Sequence, residues 1–434
     1  MTLTRFTGGA WQLRLITLLS MVAMLAIVAS ACGDDDDDDD DADVATEEEE
    51  TATEEAADDD TGEATAGVEI RIPAGEPIII GASVPLTGPD AGLGIDSRDG
   101  AIVGIEQWKA DNEDQILGHD IELVAEDDGC SDAAIATAAA ERLVDQAGLV
   151  ALVGPLCSGG AQAAIPIYQE AGFVMISGSA TRTDLAETQP QPVFFFRAVF
   201  RNADEGVVQA RYAIDVEGAT TAYVVDDTEP YGEDLADAAQ EALEAENVTV
   251  TREKIERGTT DFSALASRAA ADNPDVFIFE GFNPEGQLIL AALRAAGYEG
   301  LFMSGDGVAS VADFITPDPE LAEGAYFAGC GGDYPEEILT LYDEFIGNEP
   351  STPFVAHYAD ASRILLTAIA EVAVDEGGEL VINTGELRDA VAAIEFDGFT
   401  GPITFAETGD RAGAVGEELG LPECLVEDGA FVTL

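Results

Sequence analysis

Short apolar runs alternate with amphipathic helical stretches along most of the 434-residue chain. The clearest unit spans 149–181. It reads as an apolar strand over 149–153, a Gly-Pro turn, a helix from about Ala161, a strand over 173–176 and a loop of small residues. Buried strands of about five residues around an amphipathic helix predict a βαβ crossover with parallel strands and a right-handed connection. Upstream, the same reading gives a strand over 77–83, a glycine-rich loop over 84–94, a helix over 96–110, a strand over 121–125 and a helix over 132–146. From Asp204 the alternation restarts with a helix to Val216, strands over 221–225, 248–253 and 276–279, and helices over 231–246 and 262–271. The stretch beginning at Gln287 then repeats the one beginning at Gln162: helix, Ala-Gly-aromatic, strand, Met and Ser-Gly. Two such halves predict two α/β lobes that offer strand ends to a shared cleft. Helices over 335–347, 353–374 and 385–394, a strand over 401–405 and a hairpin around Cys424 and Phe431 complete the pattern.

In open parallel sheets ligands sit beyond the carboxyl ends of the strands. That rule gathers Cys157, Ser158, Ser177, Ser179 and Thr181 at one cleft edge. Free N–H groups at a helix start, with hydroxyls beside them, suit an anion such as a carboxylate; the plainer alternative is a set of turn and capping residues. The glycine-rich loop lacks a complete G-x-G-x-x-G, so it gives no dinucleotide fingerprint.

The N-terminus changes the compartment. Residues 1–14 carry Arg5 and Arg14 and no acid, 15–28 are apolar or small, and Ala29, Ser30 and Ala31 precede Cys32. This is the pattern of a secretory signal over 1–31, too short in its apolar run for a permanent membrane span. Cys32 directly after it resembles the lipidated cysteine of a bacterial lipobox, although Ala29 stands where leucine is usual; ordinary secretion with a free Cys32 is the alternative. Residues 33–67 are almost entirely Asp, Glu, Ala, Thr and Gly, with an unbroken aspartate run over 34–41, and predict a disordered acidic tether.

Acids outnumber bases by 87 to 18, for a net charge of −69, and lysine occurs only at Lys109 and Lys254. Nucleic-acid or anionic-membrane binding through a basic patch is thereby excluded. With Cys32 set aside, Cys130 with Cys157 and Cys330 with Cys424 can form two disulfides in an oxidising compartment. The first pair is favoured because both cysteines follow strands, over 121–125 and 149–153, and so sit at one sheet edge. A Cys157 nucleophile has little support, since His119 and His357 carry no partnering motif. There is no metal-ligand spacing and no G-x-S-x-G elbow, so neither a cofactor nor an enzyme is expected.

The stretches IIIGASVPLTGP, IELVAEDDGC, ALVGPLCS, MISGSAT, YGEDLADA, DFSALASR and GPITF, in that order from Ile78 onward, resemble the periplasmic solute-binding proteins of branched-chain amino acid ABC importers, the Leu/Ile/Val-binding type. The resemblance implies a type I periplasmic binding fold: two doubly wound Rossmann-like lobes joined by three hinge crossings, closing on a ligand. It divides the chain into an N-terminal lobe of 68–200 plus 332–411 and a C-terminal lobe of 201–331 plus 412–434. Carried over by position, it places Ser158 and Thr181 at the ligand carboxylate and the Ser179 carbonyl near the ligand amino group, with Ala180 between them among the ligand-binding residues. It puts Asp306 where a glutamate usually pairs with the ammonium, and Tyr231 at a cleft tyrosine. It also pairs Cys130 with Cys157. Leu93 stands where an aromatic commonly covers the ligand side chain, and Phe282 where a tyrosine is usual.

The expected function is a monomeric, lipid-anchored extracytoplasmic receptor that delivers an amino acid, branched-chain or related, to an ABC permease. A ligand-sensing subunit for a membrane signalling partner is the alternative, as is a receptor for amides, urea or aromatic compounds.

Overall fold

The structure is a computed structural model that describes residues 67–112, 114–331, 334–413 and 421–434. The leader, Cys32 and all but the last residue of the acidic tether lie outside the described residues. The first half of the chain runs β1 (Glu69–Ile72), β2 (Ile78–Val84), α1 (Ala91–Asp111), β3 (Ile121–Asp127), α2 (Ala133–Val144), β4 (Leu149–Val153), α3 (Ser158–Glu170), β5 (Val174–Ser177) and β6 (Phe195–Arg197). Strands β2 to β6 form one all-parallel sheet in the order β3-β2-β4-β5-β6. β2, β4 and β5 are buried along their whole length. Helices on both faces leave such strands no wet side, which is why they read as unbroken apolar runs without alternation.

The chain then crosses to a second sheet. α4 (Asn202–Arg211) runs into a π-helical turn at Tyr212–Val216 and is followed by β7 (Thr221–Asp226), α5 (Pro230–Ala245), β8 (Thr249–Lys254), α6 (Ser263–Asp272), β9 (Val276–Glu280), α7 (Glu285–Ala295) and β10 (Leu301–Ser304). A second π-helical turn at Val311–Ile315, α8 (Pro319–Ala322) and β11 (Tyr326–Ala328) complete the parallel part. The chain returns through α9 (Glu336–Phe345), α10 (Val355–Val372), β12 (Val374–Asp375), β13 (Leu380–Asn383), α11 (Thr384–Ala392), β14 (Phe396–Gly398) and β15 (Gly401–Ile403). α10 packs on α1 and on the first sheet. The tail comes back as the hairpin β16 (Glu423–Glu427) and β17 (Ala430–Thr433), which extends the second sheet antiparallel beside β11. That sheet has the order β17-β16-β11-β10-β9-β7-β8.

Both lobes therefore share one strand plan: the first strand lies between the second and the third, and the rest follow outward. Each has its topological switch point beside that first strand, between β2 and β4 in one lobe and between β7 and β9 in the other. The repeat at Gln162 and Gln287 corresponds to α3-β5 and α7-β10. Cys130–Cys157 and Cys330–Cys424 are both disulfide-bonded, with Cα separations of 4.9 and 6.1 Å.

Three expectations change in detail. The helix predicted from Ala161 begins at Ser158, because Gly159 and Gly160 lie inside its first turn. A Cβ on Gly160 would meet the Cys130 carbonyl oxygen at 2.4 Å, so the glycine serves close packing and does not break the helix. The helix predicted over 204–216 is α-helical only to Arg211. The small antiparallel sheet β1-β13-β12 has no counterpart in the sequence reading; its strands are only two to four residues long, too short for a periodic pattern.

Candidate functional site

The carboxyl ends of the two sheets face each other across a narrow cavity. From the first lobe, Leu93 in the first turn of α1, Leu156, Cys157 and Ser158 after β4, Ser179 after β5 and Phe354 before α10 line it. From the second, Tyr231 in the first turn of α5, Phe282 after β9, and Asp306 and Gly307 after β10 line it. All of these but Phe354 come from a loop or helix start beyond a strand end, and four of the six strands involved, β2, β4, β7 and β9, flank the switch points.

The wall toward the first sheet is built of hydroxyls and a helix start. Ser158 is the first residue of α3, and its Oγ accepts the Arg182 N–H at 3.1 Å. The disulfide at Cys157 pins this helix start to the loop after β3. The Ser179 hydroxyl donates to the Leu156 carbonyl at 2.8 Å and lies 3.3 Å from the Tyr358 hydroxyl. Six of the eight expected ligand residues (Leu93, Ser158, Ser179, Tyr231, Phe282 and Asp306) thus meet at one cavity. Ala180 and Thr181 lie behind its lining. The Ala180 N–H donates to Ser177 Oγ at 2.9 Å, and its carbonyl accepts from the buried Arg197 guanidinium at 3.1 Å. Arg197 also binds Asp410 at 2.6 Å and so ties this loop to the crossing segment. Thr181 is fully buried, and its Oγ1 has no hydrogen-bond partner among the described residues.

The opposite wall is acidic. Asp306 Oδ1 accepts the Tyr231 hydroxyl at 2.5 Å, and that hydroxyl accepts the Gly307 N–H at 3.0 Å. Behind Asp306 stand two acids absent from the sequence reading. Glu205 Oε1 accepts the Asp306 N–H at 3.1 Å, and Glu280 Oε2 accepts the Gly305 N–H at 3.1 Å. Two consecutive strand-end N–H groups are therefore satisfied by carboxylates, which fixes the Asp306 loop. Both glutamates are fully buried. Burial, followed by repulsion from Asp306 and Glu280, pushes the Glu205 carboxyl well above the usual carboxylate range. Burial likewise raises Glu280 and Asp306. Carboxyls this close in a dry environment cannot all carry charge. Among the described residues, no group of three or more His, Cys, Asp or Glu is arranged to hold a metal ion. The signal for Glu280 lay in its place, an acid ending the apolar run VFIF. Glu205 looked like an ordinary first-turn acid, and only the second lobe's packing buries it.

Residues 77–415 match the periplasmic binding protein family. The chain belongs to that family. A Leu/Ile/Val-binding protein of Escherichia coli K12 is 30% identical over 345 residues, covering 77% of this chain and 87% of that protein. An amino acid binding protein of Pseudomonas aeruginosa is 35% identical over 232 residues, 53% of this chain and 61% of that protein. The crystal structure of a leucine-binding protein from Thermotoga maritima superposes with a TM-score of 0.71 at 25% identity, covering 82% of this chain and 97% of that one. In this periplasmic binding protein the two-lobed fold, its parallel sheets and its cleft between strand ends agree with the architecture expected from the sequence. Among the described residues, no helix is long and apolar enough to cross a membrane.

Proposed function

We propose that the cavity captures an amino acid with an apolar side chain, branched-chain or closely related, and that the protein delivers it to an ABC importer. One observation carries this reading: a helix start with hydroxyls on one lobe faces the Asp306–Tyr231 pair on the other across a small space walled by Leu93, Leu156, Phe282 and Phe354. In this reading the α3 start, Ser158 and the unpartnered Thr181 hydroxyl take the carboxylate, the first by free backbone N–H groups. The Ser179 carbonyl and Asp306 take the ammonium, whose positive charge offsets the crowding of Glu205, Glu280 and Asp306. The apolar residues take the side chain. Because the two ends of the solute are gripped from different lobes, solute binding stabilises the closed state.

The lobes are proposed to comprise 68–200 with 332–411, and 201–331 with 412–434. Cys32 is proposed to carry the lipid, with the acidic segment as a tether long enough to let a monomeric receptor reach its permease. A thermal-shift screen against amino acids, amides, urea and aromatic acids tests the reading. A solute at 1,000 times its Kd adds about 4 kcal/mol to the native state, so leucine, isoleucine or valine raises the midpoint in a concentration-dependent way. A screen in which only amides or aromatic acids do so overturns the ammonium role of Asp306.

A further inference from the structure

Two sides of the cleft mouth meet at one side chain. Arg257 lies in the turn after β8, where Gly258 adopts φ +85°, a conformation that favours glycine. The Gly258 N–H donates to Glu285 Oε1 at 2.6 Å, which ties the turn to the first residue of α7. Held there, the Arg257 guanidinium carbon lies 4.3 Å from the centroid of the Phe282 ring, a cation–π arrangement. The same guanidinium forms an ion pair with Asp90. Asp90 belongs to the other lobe: it caps α1, three residues before Leu93. Phe282 and Leu93 are apolar walls of the cavity contributed by opposite lobes. One cation therefore touches the first wall and grips the loop that carries the second.

The surroundings fix the sign of the effect. Asp90 and Arg257 are only 9% and 14% exposed, so their pairing is little screened by water. Burial pushes the Asp90 carboxyl up and Arg257 opposes that rise, while Glu285 and Asp313 of the second lobe add to it. Asp313 lies close by; a Cβ on Gly92 would sit 3.4 Å from its Oδ2. Asp227 is also stabilised by Arg257. Without the guanidinium, Asp90 would face Glu285 and Asp313 with like charge across the lobe boundary. Losing Arg257 thus turns attraction into repulsion.

We propose that Arg257 is an interlobe latch and a positioning residue for the side-chain pocket, holding Phe282 and the Asp90–Leu93 loop together so that solute leaves only when this pair parts. Its effect on solute release rests on the cavity being the solute site; the latch itself does not.

Two readouts on the full chain separate these. Hydrogen–deuterium exchange of residues 85–94 and 255–260, without added solute, reports the latch; the dissociation rate of L-leucine reports the pocket. Arg257→Ala speeds exchange in both segments together and raises the leucine dissociation rate at least tenfold, while Arg257→Lys, which keeps the charge, retains most of the protection at 85–94. Adding Asp90→Asn to Arg257→Ala reverses part of the loosening, because a neutral amide is not repelled by Glu285 and Asp313. If Arg257→Ala loosens only 255–260 and leaves 85–94 as in the wild type, the latch is overturned. If both segments loosen as described and leucine binds no variant, the latch stands and the solute assignment fails.

Discussion

The Asp306 N–H donates to Glu205 Oε1 at 3.1 Å, so the acid that faces the cavity is positioned by a second acid behind it. Neither has a basic partner among the hydrogen bonds of this cluster: the Tyr231 hydroxyl donates to Asp306 and the Asp306 N–H to Glu205, while the Gly305 N–H goes to Glu280 and the Gly307 N–H to the Tyr231 hydroxyl. An empty cavity of this kind favours a proton on the pair, and an incoming ammonium favours its release.

Asp306→Asn keeps the shape and removes the charge. A hydrogen bond to a charged group contributes about 1.5–3 kcal/mol, so amino acid affinity should fall about 10- to 150-fold in calorimetric titration. The empty variant should melt no lower than the wild type, since a buried carboxyl has been neutralised. Tyr231→Phe should lose less affinity, because Asp306 keeps its place through Glu205.

The pH dependence follows from the sign of the Glu205 shift. Its folded-state pKa is raised above an unfolded value of about 4.3. Between those two values the folded chain holds a proton that the unfolded chain has released, so this contribution is fully present below the unfolded pKa and is lost as pH rises through the folded one. The melting temperature of the empty protein should therefore fall as pH is raised from about 5 to 8. Glu205→Gln should flatten that slope, and melts of the two proteins at matched pH values check it; an unchanged slope would remove Glu205 from the proton account.

Opening Cys130–Cys157 should damage both stability and the site. The bridge spans 27 residues, for which the chain-entropy relation gives about 3.5 kcal/mol. Cys130→Ser with Cys157→Ser should lower stability by that order in denaturant titration. It should also weaken solute binding, because Ser158 begins the helix that Cys157 anchors.

Much of this arrangement was legible in the sequence, for particular physical reasons. Strands buried on both faces, such as β4, are unbroken apolar runs, and their alternation with helices gave the parallel βαβ units and the two lobes. Cys130 and Cys157 could be paired because both follow strands that end at the same sheet edge, β3 and β4, on either side of β2. The start of α3 was misplaced because glycine weakens a helix in isolation, and only the approach of the Cys130 loop explains Gly159 and Gly160. Glu205, Glu280, Asp90 and Arg257 escaped notice because each looks like a solvated charge. Their burial comes from contacts between segments up to 167 residues apart, as in the Arg257–Asp90 pair, and local pattern does not carry that information.

Leu93 offers a test of side-chain selection. Leu93→Ala should enlarge the apolar wall and weaken leucine binding by about 1–3 kcal/mol. Phenylalanine should lose less or gain, so the ratio of leucine to phenylalanine affinity should fall in competition titrations.

The most direct test of the central claim is calorimetric titration of the protein, refolded to strip any carried-over solute, with L-leucine and with its 2-hydroxy analogue. The two differ only in the group that would meet Asp306. Leucine should bind with one solute per chain, and the hydroxy acid at least 100-fold more weakly, because it leaves the acidic wall without a cation. Equal binding of the two, or binding of neither leucine, isoleucine nor valine, would contradict the account.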